Sequence, residues 1–261
     1  GDGDYNDDGE ISVADPLADL GDGTIVAGII AAVGNNAEGI IGVAPKSKIM
    51  PIKAILGNGV GAITNVGRAI RYAADNGADI INGSLGYDGS SSLMTDAVNY
   101  AQSKGCLIVA AAGNHDSNVS NFTPANISGV IAVAAVDQMG DKRSDSNWGY
   151  RIDVAAPGEG ILSLLTKVPN FRIDQNLVVG RNYYLSAGTS DTAPFVSGLA
   201  ALLLERFPQV DNKEIRARIL AGTTQFNNDY VGFLGTRKIN AYKSLTLERS
   251  PYFRIRDTKI A

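Results

Sequence analysis

One histidine, one cysteine and one tryptophan are all that 261 residues contain of those types. The lone Cys106 rules out an intrachain disulfide. It opens the apolar run Leu107-Ile108-Val109-Ala110 and is expected to be a buried strand thiol. The lone His115 leaves a single imidazole for acid–base chemistry anywhere in the chain. No apolar run approaches the ~20 residues that span a bilayer. Positive charge is in short supply too: 23 Lys and Arg stand against 27 Asp and Glu, a net charge of −4. That balance excludes the basic face on which nucleic-acid binding depends. Gly1-Asp2-Gly3 carries neither an initiating methionine nor a secretory signal, and reads as part of a longer chain.

What the chain does have is glycine, 30 residues of it, and an alternation of short apolar runs with longer amphipathic ones. Helices are expected over Gly23–Ala32, Thr64–Asn76, Ser92–Lys104, Thr192–Phe207 and Asn212–Ala221. Strands are expected over Lys48–Lys53, Asp79–Asn82, Cys106–Ala111, Val130–Ala134 and Ile152–Ala155. Strands buried on both faces read as continuous apolar runs, and these do. The alternation predicts an α/β fold with a mostly parallel sheet and helices on both faces. A ligand then sits beyond the carboxyl ends of the strands. Thr166–Tyr184, with its proline, glycine and tyrosines, reads as a hairpin or long loop.

Leu185-Ser186-Ala187-Gly188-Thr189-Ser190-Asp191-Thr192-Ala193-Pro194 sets a serine on a small-residue turn ahead of an apolar helix. A nucleophilic hydroxyl needs that setting: little bulk, and a helix N-terminus behind it. The helix should bury Ala193, Val196, Ala200 and Leu203 along one face. At the start of the chain, Asp4-Tyr5-Asn6-Asp7-Asp8-Gly9-Glu10-Ile11-Ser12-Val13-Ala14-Asp15 fits a calcium loop. Hard oxygen ligands fall at alternate positions, and Gly9 permits the sharp turn. The expected ligands for Ca2+ are the side chains of Asp4, Asn6, Asp8 and Asp15 and the carbonyl of Glu10. The alternative is a solvated acidic loop with no ion.

Six segments, in order, resemble the subtilisin-like serine proteases, the subtilases. They are Gly21-Asp22-Gly23-Thr24-Ile25-Val26-Ala27-Gly28, Ile80-Ile81-Asn82-Gly83-Ser84-Leu85-Gly86, Ala110-Ala111-Ala112-Gly113-Asn114, Ser146-Asn147-Trp148-Gly149, Val154-Ala155-Ala156-Pro157-Gly158 and the Ser190 segment. Lys238-Ile239-Asn240-Ala241 matches the usual domain end. The resemblance implies a three-layer subtilisin-like fold over residues 22–246. Residues 1–21 would be its acidic calcium-loop segment, since some bacterial subtilases carry a similar insert. Residues 247–261 would be a linker and the start of a further β module. It implies Ser190 at the nucleophile position, Asn114 at the oxyanion position, and a substrate-binding surface of Ser84, Leu85, Gly86 and Gly113. It also implies an extracellular or cell-surface location and a peptide or protein partner.

The chain departs from the family where catalysis is made. Asp22 stands at the position of the histidine that takes the serine's proton. Asp191 follows the serine where Met is usual, and Phe195 replaces a usual histidine. Nothing before Asp22 resembles the strand that carries the family's catalytic aspartate. A sheet without that strand has an open edge, which a separate N-terminal segment or an assembly partner would cover. Asp22 as a base needs a raised pKa, and its side chain is shorter than an imidazole. His115 follows Asn114 and is expected on a solvated loop. Three readings stay open at this level: a catalytically impaired pseudoprotease used for binding or assembly, an active endopeptidase completed by another segment, and deliberate replacement of residues.

Overall fold

The computed structural model describes residues 21–55, 61–166, 174–226 and 237–248. Their helices are α1 (Asp22–Ala31), α2 (Ile63–Asp75), α3 (Ser92–Ser103), α4 (Thr189–Arg206), α5 (Asn212–Ala221) and α6 (Ala241–Thr246). The strands are β1 (Ile80–Gly83), β2 (Tyr87–Asp88), β3 (Leu107–Ala111), β4 (Phe122–Thr123), β5 (Ile131–Val136), β6 (Val154–Pro157), β7 (Ile161–Leu164), β8 (Val178–Val179), β9 (Tyr183–Ser186), β10 (Thr224–Gln225) and β11 (Arg237–Lys238).

Six strands form one sheet in the order β1-β3-β5-β6-β11-β10, parallel except for the β10–β11 pair. Register sets Ile80 beside Leu107, Val109 beside Ile131 and Val133 beside Val154. β3 and β5 are buried along their whole length, which their unbroken apolar runs demand. One face of the sheet packs on α2 and α3 through Ile108, Ala110 and Ala132. The other packs on α4 and α5 through Val109, Ile131 and Val133. The architecture is the expected three-layer α/β fold.

Local chemistry sets the helix ends. Ser91 caps α3 by accepting from Met94 N at 3.4 Å, and Asp211 caps α5 by accepting from Glu214 N at 3.0 Å. The α4 face Ala193, Val196, Ala200 and Leu203 is fully buried. α4 begins at Thr189, three residues before the expected Thr192, because Gly188 takes φ +145° and lets the chain turn straight into the helix. The second half of the predicted 166–184 segment is a hairpin: β8 and β9 join β7 in an antiparallel sheet of order β7-β9-β8.

One expectation needs correcting. Residues 48–53 form no strand among the described residues beyond a single bridge at Lys53, and Ile49 and Met50 are exposed. Their alternation with Lys and Pro gives too little apolar surface to hold a ladder alone, and Pro51 has no N–H to donate. Among the described residues β1 is therefore an edge strand. The calcium-loop residues 4–15 and residues 249–261 of the expected 247–261 linker and module lie outside the described residues.

Candidate active site

The carboxyl ends of β1 and β3 and the N-terminus of α4 converge on Ser190. Pro194 fixes this geometry. It lies inside α4 and has no N–H, so the Ser190 carbonyl four residues earlier loses its helical donor. The Ser84 hydroxyl supplies one, donating to Ser190 O at 2.6 Å. Ser190 Oγ returns a bond to Ser84 O at 3.3 Å. Ser84 Oγ in turn accepts from Asn82 Nδ2 at 2.9 Å, and Asn82 Oδ1 accepts from Ser197 Oγ at 2.8 Å. A chain of hydrogen bonds thus ties β1 to two turns of α4.

Thr189 performs the matching task for β3. Its hydroxyl accepts from Gly113 N at 3.1 Å and donates to Asn114 Oδ1 at 2.9 Å. Its backbone N–H donates to the same oxygen at 2.9 Å. Because a backbone N–H can only donate, the amide of Asn114 is oriented, and Nδ2 is left as the exposed donor beside the serine turn. An oxyanion would require a donor so placed. Asn147, fully buried, holds the loop behind: Nδ2 donates to Ala112 O at 2.8 Å, and Oδ1 accepts from His115 N and Ser117 N at 3.0 Å each.

The base side is different. Asp22 opens α1, with Gly21 at φ +78° before it. Asp22 keeps an exposed face, yet the burial of its carboxyl raises the pKa above the ordinary 3.8. Asp191 is 2% exposed, and its pKa is pushed up to about 6. Desolvation is the main cause; the Asp22 charge adds to it, while a Ser186 hydrogen bond and the Arg143 charge oppose it. Arg143 pairs with Asp145 at 3.2 Å, and its buried Nη1 has no hydrogen-bond partner among the described residues. Among the described residues no hydrogen bond joins Ser190 Oγ to Asp22. His115 is 58% exposed and faces Asp88, Nδ1 to Oδ2 3.7 Å, not the serine.

The structure thus brings together Ser190, Asn114, Ser84 and Gly113, with Leu85 and Gly86 next along the chain, and sets Asp22 within electrostatic reach of Asp191. Arg143, Ser186 and Phe122 were missed: Arg143 and Phe122 lie in no motif and only the fold carries them to the cleft, while Ser186 sits inside the Ser190 segment without its bond to Asp191 being foreseen. Pro194 inside a helical pattern was a usable signal, since it implies a foreign donor for Ser190 O. Among the described residues no cluster of three or more His, Cys, Asp or Glu could hold a metal ion. No described helix is long and apolar enough to cross a membrane.

Residues 2–236 match the subtilase family, peptidase S8, and the chain belongs to that family. It is similar to the thermophilic serine proteinase of Bacillus sp. (strain AK1), with 42% identity over 232 residues, 89% of this chain and 54% of that protein. Thermitase of Thermoactinomyces vulgaris is 40% identical over 229 residues, 86% of this chain and 75% of that one. An extracellular protease of Xanthomonas campestris is 42% identical over 195 residues, 69% of this chain and 32% of that one. The chain spans about half the length of the Bacillus sp. AK1 proteinase and of the thermostable alkaline protease of Halalkalibacterium halodurans, which it also matches. Among solved structures, a protease from Pseudoalteromonas arctica superposes with TM-score 0.77 at 35% identity, covering 86% of this chain and 70% of that one. This is a subtilisin-like serine peptidase domain.

Proposed function

We propose that the domain is a catalytically impaired subtilase, a pseudoprotease that keeps a peptide cleft for binding or assembly. One observation carries the reading. Ser190 Oγ donates to the Ser84 carbonyl, and the residue standing where the family has its histidine is Asp22. A serine hydroxyl at neutral pH attacks nothing efficiently without a base within ~3 Å. Asp191 adds negative charge next to the nucleophile, where transition-state stabilisation requires the opposite. The relatives named above are proteases, so the proposal is a departure from them. The cleft itself survives: Ser84–Gly86 lies between β1 and β2, and an extended peptide can add to its backbone.

A second reading is an active endopeptidase completed by a separate N-terminal segment. It is favoured by the burial that raises the Asp22 carboxyl toward the range of a base. Labelling of the full chain with a fluorophosphonate separates the two. The impaired reading expects no more label on the parent than on Ser190→Ala. Strong parental labelling that Ser190→Ala abolishes would establish the active enzyme. Asp22→His serves as the gain-of-base comparison.

Two further features belong to the proposal. Ca2+ is held by Asp4, Asn6, Asp8, Glu10 and Asp15, on the strength of the loop pattern; chelation then lowers Tm, since an ion bound only to the folded state stabilises it. The protein acts outside the cell or at its surface, in keeping with the Xanthomonas relative. Its partner is a peptide or protein, and one such partner covers the β1 edge.

A further inference from the structure

We propose that Phe122 closes the side-chain recess beside Ser190, so that the cleft accepts a peptide only where the residue lying against that recess is glycine or alanine. The inference rests on the peptide-cleft reading of Ser84–Gly86. Phe122 lies on β4, which pairs antiparallel with β2; Asp88 faces Phe122 and Tyr87 faces Thr123. β2 begins immediately after Gly86, so this pairing carries the ring beneath the cleft segment.

Two glycines report where the ring lies. A Cβ built on Gly86 would stand 2.7 Å from Phe122 Cζ, and one on Gly113 would stand 3.0 Å from both Cε atoms. The ring is the nearest obstacle at Gly86, beside the Thr123 carbonyl, and the next after Asn147 Nδ2 at Gly113, whose φ of +100° also favours glycine. The phenyl group is 5% exposed and wedged between the segments that follow β1 and β3. His115 packs edge-on against it, ring centres 6.0 Å apart and planes at 70°, on the outer side.

Those same segments hold the serine turn. Ser84 bonds Ser190, and Gly113 and Asn114 bond Thr189. The space between them therefore opens at Ser190, with the phenyl ring as its floor. A peptide added along Leu85-Gly86 alternates its side chains between faces. The side chain that points between these two segments at Ser190 meets the ring. An aromatic residue there would have to displace Phe122 from the core it shares with Leu85 and Tyr87.

The test uses acetyl tetrapeptide amides of alanine with X at each position in turn, X being Gly, Ala, Leu or Phe, titrated by NMR against the parent and Phe122→Ala. Phenol alone is a second probe. The parent should bind the Ala peptide at least tenfold more tightly than any Phe peptide at one position. Phe122→Ala should reverse that preference at the same position and bind phenol, as a vacated apolar recess does. Equal binding of the Ala and Phe peptides by the parent at every position would overturn the proposal. So would a folded Phe122→Ala that takes neither phenol nor a Phe peptide. If removing the ring prevents folding, Phe122→Leu replaces it and should gain tenfold for X = Leu at that position; no gain overturns the proposal. Phenol binding by the variant, with no peptide bound by either protein, would keep the recess and sink the peptide-cleft reading. Peptide cleavage by the parent would sink the impaired reading alone, and the preference for X would then be read from kcat/KM.

Discussion

The two banks of the cleft satisfy their polar groups in opposite ways. On the serine bank, Ser84, Thr189 and Asn114 exchange hydrogen bonds of 2.6–3.1 Å with Ser190 O, Gly113 N and one another. On the other bank, Asp22 and Asp191 are partly stripped of water, and Arg143 spends its contact on Asp145. The serine bank is needed by the fold. Pro194 leaves a carbonyl that must find a donor, and Gly113 N is a buried group that must find an acceptor. Residues at Ser84, Thr189 and Asn114 therefore serve the architecture whether or not a bond is ever cut. A base at position 22 serves only chemistry, since Asp22 holds no described hydrogen bond together. A family-like serine turn is thus weak evidence for activity, and the residue at position 22 is strong evidence.

The contrast can be broken by mutation. The largest effect is expected from Asp191→Asn, which should stabilise the domain by as much as about 3 kcal/mol at pH 7, a shift of roughly two pKa units at about 1.4 kcal/mol each. The sign follows from linkage. Below pH 3.8 the parent's Asp191 is protonated in both folded and unfolded states, and the variant gains nothing. Between 3.8 and about 6 the unfolded chain releases its proton first, so the parent loses stability as pH rises. Above that the deficit is constant. Urea midpoints at pH 3.5 and pH 7 check this; an equal gain at both would assign the effect to packing.

Thr189→Val should come next, losing about 2 kcal/mol at either pH, because the buried Gly113 N loses its acceptor and Asn114 Oδ1 is left with the Thr189 N–H alone. A loss confined to neutral pH would mean that the carboxylates, not the serine bank, are being disturbed. Asp22→Asn should do least to stability. Its effect is on its neighbour: the Asp191 midpoint should move down once the Asp22 charge is gone. An Asp191 carboxyl titration by NMR that does not move would uncouple the two acids and dissolve the second bank as a unit.

Much of the fold was legible. The buried runs at β3 and β5 and the α4 face Ala193, Val196, Ala200 and Leu203 announce themselves because burial on every side demands unbroken apolar chemistry. The sequence misled at 48–53, where Lys48-Ile49-Met50-Pro51-Ile52-Lys53 carries β-prone residues but only Lys53 takes a bridge among the described residues, Pro51 having no N–H to donate. In the site, motifs located Ser190, Asn114 and Asp22. Arg143 and Phe122 stayed invisible, since each acts through neighbours distant in sequence; Ser186 was in view, but its bond to Asp191 five residues on was not. Asp191 could be seen as an intrusion but not as a buried acid near pKa 6, because burial belongs to the packed state alone.

The bonds across the serine bank join residues far apart along the chain: Ser84 and Ser190 are separated by 106 positions, Asn82 and Ser197 by 115. Contacts of that separation carry a loop-closure cost that local contacts do not. The orientation of the Asn114 amide depends on Thr189, the first residue of α4, and so requires that α4 be docked. If those bonds are absent from the folding transition state, weakening them should speed unfolding and leave the folding rate almost unchanged.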